Sequence, residues 1–481
     1  MEDEVIVGLE VHCQLDTKSK LFCGCSTDYR DDGPNTHVCP VCLGLPGAMP
    51  VLNRRAIEYA MRVAKALNCA VLHESEFSRK NYFYPDLDKA YQITQYDKPL
   101  AEGGFLEIDG DEGGERKIRL TRIHVEEDPG RLVHMGNAER GKYSLVDYNR
   151  AGIPLIEIVS EPDMRSPKEA RKFLNKLRAT LEYLSVFDSE KEGSLRVDAN
   201  ISIRGSERVE VKNITSYKGV EKALTFEIAR QKNLIRRGQK VSRETRHFLE
   251  AQGSTQAARS KEQEHDYRYF PEPDLRPLFV SDWVDGIVLP ELPDARRERF
   301  VAQYGCSLNH ARTLTGDYRL ANFYEAVVAA GGAGLSALAA TWTADTLIGE
   351  LNYRDMTIEP VGPEDFAGLL ALLKEGTITD KNGVDVLRVM LDQRKNNEHK
   401  EPAAVIVQRL NLGMTKGDTA AISSAIAEAI RENPKAIGDY RAGKGGALNF
   451  LVGQVMKKTR GKADPEELNR MLVEALKALE A

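Results

Sequence analysis

The sequence predicts an α+β protein in three parts. An N-terminal open antiparallel sheet, cradle-like in outline, carries a cysteine-rich insertion at about residues 21–47; a helical domain follows, then a small helical tail with a basic surface. Three observations carry this. Four segments of the N-terminal half alternate apolar and polar side chains with the two-residue period of a strand. Beyond Leu289-Pro-Glu-Leu-Pro-Asp294 the composition turns to Ala-, Leu- and Glu-rich stretches of helical character. A chain of 481 residues also exceeds what one core sustains. The expected domains are 1–292, 293–405 and 406–481.

The 42% apolar and 29% charged residues are those of an ordinary soluble chain. The start, MEDEVIVGLEV, has neither the basic segment nor the small-residue cleavage site of a secretion signal. The longest apolar run, Ala326 to Ala340, is short for a membrane span and is interrupted by Gly331, Gly332 and Gly334. A cytoplasmic protein without membrane association is expected, in which seven cysteines do not suggest a disulfide scaffold. A net charge of −6 argues against indiscriminate coating of nucleic acid, though not against a local basic surface.

The first strand spans Glu4 to Leu15. Val5, Val7, Leu9 and Val11 alternate with Ile6, Gly8, Glu10 and His12, so Glu10 and His12 share one side. Such a pair is a solvated face or part of a site, and the next segment favours the second. Cys23-x-Cys25, thirteen residues, then Cys39-x-x-Cys42 offers four thiolates in two turns, an arrangement that suits one tetrahedral Zn²⁺. With all four positions filled by protein the zinc is expected to be structural, and none is left open for zinc hydrolysis. Cys13, Cys69 and Cys306 stand alone and read as core residues.

Asn53 to Asn68 has Ile57, Ala60, Ala64 and Leu67 at helical spacing. Phe77 to Pro99 is the most aromatic stretch, with Phe83, Tyr84, Tyr91 and Tyr96 among Arg79, Lys80, Lys89 and Lys98. It reads as the edge of a strand-rich core or as a surface that stacks on a base and pairs with phosphates. Lys117 to Glu127 is a second alternating strand, Ile123 and Val125 facing one way, His124 and Glu126 the other. Pro154 to Val159 is a third, short and largely buried, with Glu157 amid β-branched residues. An acid there is costly unless it is paired or binds a cation.

Leu195 to Arg204 is the fourth. Val197, Ala199, Ile201 and Ile203 face inward, and Arg196, Asp198, Asn200, Ser202 and Arg204 outward; Val209 to Asn213 pairs with it across the Gly205-Ser206 turn. The polar face of such a sheet carries mostly oxygen ligands, which favours Mg²⁺ over Zn²⁺ at this second site and gives Glu157 its partner.

Ser166-Pro167 opens a helix with Ala170, Phe173, Leu174, Leu177, Leu181 and Leu184 as its stripe, and another runs about Val220 to Arg237. Thr245 to Leu275 reads as a charged helix followed by an aromatic-acidic turn, DYRYFPEPDL. From 435 to 462, Lys435, Arg441, Lys444, Lys457, Lys458, Arg460 and Lys462 stand against one acid, Asp439. Positive charge segregated in an acidic chain is a candidate nucleic-acid surface, with Lys444, Lys457, Lys458, Arg460 and Lys462 as contacts; a solvated helical face is the plainer reading. Gly438 to Lys444 has the spacing of a phosphate loop, but Gly445 replaces the hydroxyl residue and a helix precedes it, so that motif is rejected.

Several long motifs resemble one family: GLEVHCQL at 8–15, RKNYFYPDLDKAYQITQYDKP at 79–99, RIHVEED at 122–128, DYNRAGIPLIEIVSEPD at 147–163, EVKNI at 210–214, DYRYFPEPDL at 266–275 and GKADPEELN at 461–469. They are similar to the B-type subunits of glutamyl/aspartyl-tRNA amidotransferases. The resemblance implies a carbon–nitrogen ligase that uses ATP to phosphorylate the side-chain carboxylate of Glu or Asp misacylated on tRNA(Gln) or tRNA(Asn). The acyl phosphate is then attacked by ammonia, drawn from glutamine by an A-type amidase partner within a heterotrimer that includes a small C-type partner.

It further implies His12, Glu126 and Glu157 as Mg²⁺ ligands, with Glu10 a ligand or an acid behind them and His124 and Glu127 as rivals set by strand register. Lys80 and Arg150 would hold phosphates, and Asp198 would support the metal or nucleotide. Cys23, Cys25, Cys39 and Cys42 would hold the structural zinc. Two alternatives stand beside this: the related archaeal E-type protein, whose extra inserted domain finds no room here, and a non-catalytic tRNA-binding assembly module.

Overall fold

Strand β1 (Val5–Gln14) lies inside a ten-stranded sheet, and its alternation decides which way that sheet faces. Val7, Leu9, Val11 and Cys13 are buried in the core, while Glu10 and His12 are half-buried on the other side. The computed structural model describes residues 4–135, 143–191, 193–258, 267–413, 419–441, 444, 446–459, 463 and 465–478. Arg460 and Lys462 lie outside them. The described chain forms two compact units, Met1–Pro293 and Asp294–Ala481.

In the first unit β1 is followed by helix α1 (Arg54–Ala66), strands β2 (Ser78–Asn81), β3 (Tyr91–Thr94), β4 (Glu115–Glu127) and β5 (Pro154–Ser160). Then come α2 (Pro167–Tyr183), β6 (Leu195–Ile203), β7 (Val209–Ile214), α3 (Tyr217–Arg236), β8 (Glu244–Leu249) and β9 (Ser254–Ala257). The sheet order is β9-β8-β7-β6-β1-β5-β4, continued by the two-residue strands Ala101–Glu102 and Ala70–Val71, with Phe105–Asp109 paired beside β4.

The helices begin where the chain supplies a cap. Asn53 accepts from the amides of Arg55 and Ala56, Ser166 from Glu169 ahead of a first-turn proline, and Ser216 from Gly219. Their apolar stripes, Ile57, Ala60 and Ala64 on α1, Phe173, Leu174 and Leu177 on α2, and Val220, Ala223 and Leu224 on α3, join the inward strand residues in one core.

Two expectations are corrected. The sheet is mixed, because β7 and β8 run parallel: α3 lies between them as a crossover, and a crossover returns the chain in the same direction. Of the charged helix expected from Thr245, residues 259–266 lie outside the described ones, and up to Ala257 the chain is instead the hairpin β8–β9. Its charges are paired, partly beneath the sheet: Arg246 reaches the buried Glu227 of α3 at 3.5 Å and Glu244 at 3.3 Å, and Phe248 alone on β8 enters the core. Masked by charge, that strand has no apolar period to read.

A three-stranded sheet, β3-β2-(Phe270–Pro271), is fastened by Arg79, whose Nε and Nη2 donate to the two oxygens of Glu272 at 2.7 and 2.8 Å. The Glu272 side chain is fully buried. Removing it costs the guanidinium its bidentate partner and leaves Asp274, at 3.3 Å, as its remaining counter-charge, so Glu272→Ala should destabilise the first unit by about 3 kcal/mol, read by urea unfolding. A change below ~1 kcal/mol would mean that the strand pairs hold without it.

Among the described residues the second unit is helical. Tyr318–Gly331, Pro363–Lys374, Asp380–Lys395 and Ala403–Arg409 pack around Tyr324, Phe366, Leu370 and Leu387. Thr419–Glu432, Pro434–Arg441, Gly446–Lys458 and Pro465–Ala478 share a separate small core of Ile426, Leu451, Val455, Leu468 and Leu472. No described helix is long and apolar enough to cross a membrane.

Candidate functional site

Register brings the polar residues of four strands into rows. Glu157 of β5 stands opposite His12 of β1 and His124 of β4, and His12 stands opposite Arg196 of β6. One row along, Glu10 faces Asp198, and in the row beyond it Asn200 faces Glu210 of β7. A one-residue slip in any pair would turn these side chains into the core, so burial of the apolar face fixes the site.

At the centre, His12 Nε2 lies 3.3 Å from Glu157 Oε2 and 3.9 Å from Glu126 Oε1. His124 Nε2 approaches the same carboxylates at 3.1 and 3.7 Å. One ligand atom each from His12, Glu126 and Glu157 lies within 4.8 Å of the others, a reach that one cation could span. Burial opposes ionisation of Glu157, yet the His124 and His12 imidazoles outweigh it and hold the carboxyl well below its usual value. Burial likewise opposes charging of His124, but Glu157 and Glu126 raise it to about 9. His12 is raised by the same two acids against its own burial. Two carboxylates held ionised thus face two imidazoles held toward their charged form, and a cation seated among them would take the place of the imidazole protons. Hard oxygen donors with one imidazole suit a divalent cation such as Mg²⁺.

A wall rises over this face. Thr94 of β3 donates to Glu126 at 3.0 Å, and Glu127, turned away from the trio, accepts from the Ile93 amide at 2.9 Å and from Lys89 at 3.0 Å. Lys80 of β2 has its Nζ 4.9 Å from the centre of the Tyr267 ring. Burial opposes its charge, but Tyr269, Glu126 and the groups around them raise its pKa.

Arg150 is held apart from the trio: its guanidinium donates to the carbonyls of Pro129 and Gly130 at 2.9 and 2.6 Å and lies 3.8 Å from Asp128. Asp128 is buried and also accepts from Arg196 at 2.6 Å and Gln14 at 2.7 Å. Asp198 accepts from Lys212 at 2.8 Å, which also reaches Glu210 at 2.8 Å, while Asn200 donates to Glu10 at 2.8 Å. Glu10, Asp198 and Glu210 form a second set of carboxylates within 4.8 Å.

The four cysteines of the insertion converge as well, their sulfurs all within 4.8 Å. The Cys39 amide donates to the Cys42 sulfur at 3.1 Å. A hydrogen bond from Cys23 draws the Cys42 thiol down to about 4, against its burial. Cys25 is pushed up to about 11 by burial and the hydrogen bond to Cys39. Four convergent sulfurs fit a thiophilic cation such as zinc. Cys13 and Cys306 are buried elsewhere.

Residues 5–285 match the GatB/GatE catalytic domain, and residues 322–476 match the GatB domain. The chain belongs to the GatB family. The B-type subunit of the aspartyl/glutamyl-tRNA(Asn/Gln) amidotransferase of Methanoregula boonei is 78% identical over 477 residues, 99% of each chain. The proteins of the same name from Methanospirillum hungatei and Haloarcula marismortui are 69% and 50% identical. The match to the first covers 99% of each chain; that to the second covers 98% of this chain and 97% of its own.

In this GatB-family sheet the strand residues were legible and their supports less so. Glu210 and Lys212 alternate on the polar side of β7, a signal that could have added them. Arg122 sits on the same side of β4, two residues before His124, and its buried Nε has no hydrogen-bond partner among the described residues. Asp128 follows the end of β4, where periodicity ceases to inform. In the tail, Lys444 pairs with Asp439 at 2.8 Å, Lys458 with Glu432 at 2.9 Å and Glu428 at 3.3 Å, and Lys457 is exposed.

Proposed function

We propose that this chain is the carboxylate-activating component of a tRNA-dependent amidotransferase. It would phosphorylate the side chain of Glu or Asp misacylated on tRNA(Gln) or tRNA(Asn) with ATP, and amidate it with ammonia drawn from glutamine by an A-type amidase partner. A small C-type partner would complete a cytoplasmic heterotrimer. The observation that carries this reading is the convergence of His12, Glu126 and Glu157 on one polar sheet face under Lys80.

A carboxylate resists amines because an oxide would have to leave. In the proposed reaction a carboxylate oxygen attacks the terminal phosphorus of ATP and ADP departs; ammonia then adds to the acyl carbon and inorganic phosphate leaves. Such transfer depends on position and charge more than on a protein nucleophile. Mg²⁺, when bound, would screen the phosphate oxygens. His12, Glu126 and Glu157 would hold it, Glu10 and Asp198 beside Glu210 would hold a second cation or support the nucleotide, and Lys80 would neutralise a phosphate. Arg150, engaged by the Pro129–Gly130 carbonyls, would reach a phosphate only by exchanging those bonds. Cys23, Cys25, Cys39 and Cys42 would hold a structural zinc.

ADP formation by the assembled heterotrimer with ATP, Mg²⁺ and Glu-tRNA(Gln) or Asp-tRNA(Asn) tests this reading. Turnover that ignores the aminoacylated tRNA would refute it.

The tail from 406 to 481 would hold tRNA through Lys444, Lys457, Lys458, Arg460 and Lys462. Lys457, exposed and outside the ion pairs of Lys458, gives the clearest test. Lys457→Ala should weaken tRNA binding about equally for all tRNA sequences and reduce the salt slope by about one, by filter binding across salt concentrations.

A further inference from the structure

The amidotransferase reading leaves Lys20 unused. Its side chain is fully buried. Among the described residues its Nζ meets the His37 carbonyl at 2.7 Å, the Tyr148 carbonyl at 3.4 Å and the Cys42 sulfur at 3.6 Å, with no carboxylate. An ammonium removed from water and left with two neutral acceptors is costly unless an anion stands beside it. Among the described residues, the group in reach that can carry negative charge is the Cys42 sulfur.

The surroundings give this contact a direction. Tyr148 belongs to the turn that leads into β5 and Glu157. Gly152 closes that turn with φ +82°, its carbonyl accepts from the Leu21 amide at 2.8 Å, and a Cβ there would lie 3.5 Å from Lys20 Cδ and 3.6 Å from Cys42 Cβ. The loop between the cysteine pairs is docked on the same turn: the Asn35 amide donates to Asp147 at 2.9 Å and the His37 amide to Asn149 at 2.8 Å.

We propose that Lys20 is a positioning residue of the metal–thiolate centre. Its ammonium offsets the excess negative charge of four thiolates around a divalent ion and pins that centre to the turn feeding the Glu157 strand. The lysine thereby links occupancy of the cysteine site to the placement of β5.

The proposal rests on the cysteines holding zinc, and the wild-type full-length chain tests that premise alone: if it retains no zinc against a chromophoric chelator, the zinc reading fails whatever Lys20 does. With a zinc-loaded wild type, Lys20→Met should weaken zinc binding about 10- to 100-fold and shift the sulfur-to-metal charge-transfer band of the cobalt-substituted chain. Thermal unfolding separates charge from packing. Lys20→Met should lower the melting temperature of the zinc-loaded parent, but in a Cys42→Ala chain, where the ammonium has lost its anion, the loss should vanish or reverse. Equal losses in both backgrounds, failure of both Lys20→Met chains to fold, or unchanged zinc affinity with an unshifted band would each overturn the proposal.

Discussion

A Glu157→Gln chain, assembled with its partner chains, should lose tRNA-dependent ATP turnover by about 10³-fold, or ~4 kcal/mol, while still binding tRNA. Glutamine keeps the shape of the side chain and its place between two strands, so the sheet should stand. What is lost is charge. Glu157 answers two imidazoles, His12 at 3.3 Å and His124 at 3.1 Å, and shares a ligand cluster with Glu126. With an amide there, the cluster keeps one carboxylate, too little to hold a hydrated divalent cation in competition with water. The measurement is ADP release under saturating aminoacyl-tRNA, beside tRNA affinity and melting temperature. Turnover within about tenfold of wild type would remove Glu157 from the phosphoryl-transfer site.

The second large effect concerns the cysteines. A Cys39→Ser/Cys42→Ser chain should lose its zinc, measured by atomic emission, and become open to proteolysis between about Cys23 and Met49. From Cys23 to Pro50 the chain contains turns and bends but no helix or extended strand of its own, so the sulfurs, the docking onto Asp147–Asn149 and single tethers such as Lys20 to the His37 carbonyl and Arg30 to Gln14 order it. Zinc bound by such segments supplies on the order of 10 kcal/mol toward their folding. The rest of the first unit has its own core and should remain folded, with a lowered melting temperature. Full protease resistance of the metal-free double variant would show that packing alone orders the segment.

How much of this could be read from sequence follows from where periodicity operates. Glu10 with His12, His124 with Glu126, and Arg196 with Asp198 were assigned to shared sides because a strand repeats every two residues. Which of them meet is a matter of register, and register depends on pairing between segments that can lie more than a hundred residues apart, as Glu157 with His12 does, or about thirty, as Glu157 with His124 does. Arg150, charged and beside a glycine turn, reads as a phosphate clamp, yet here it answers loop carbonyls, an arrangement that no local pattern encodes. Strand β8 was hidden for a different reason. Its largely buried Arg246 replaces an apolar side chain with an ion pair to Glu227, and that erases the alternation.

The contacts between β3 and β4 have a kinetic consequence. Ile93, Thr94 and Gln95 bond to Glu127, Glu126 and Val125, so the wall above the site is tied to the strand that forms its floor. Wall and floor move as one body. Swinging the wall outward would break bonds to β4 itself, so for the proposed reaction entry would run along the open side of the sheet. The orientation of Glu126 is already set when the chain folds, so in the proposed reaction little of a nucleotide's binding energy would be spent on arranging it.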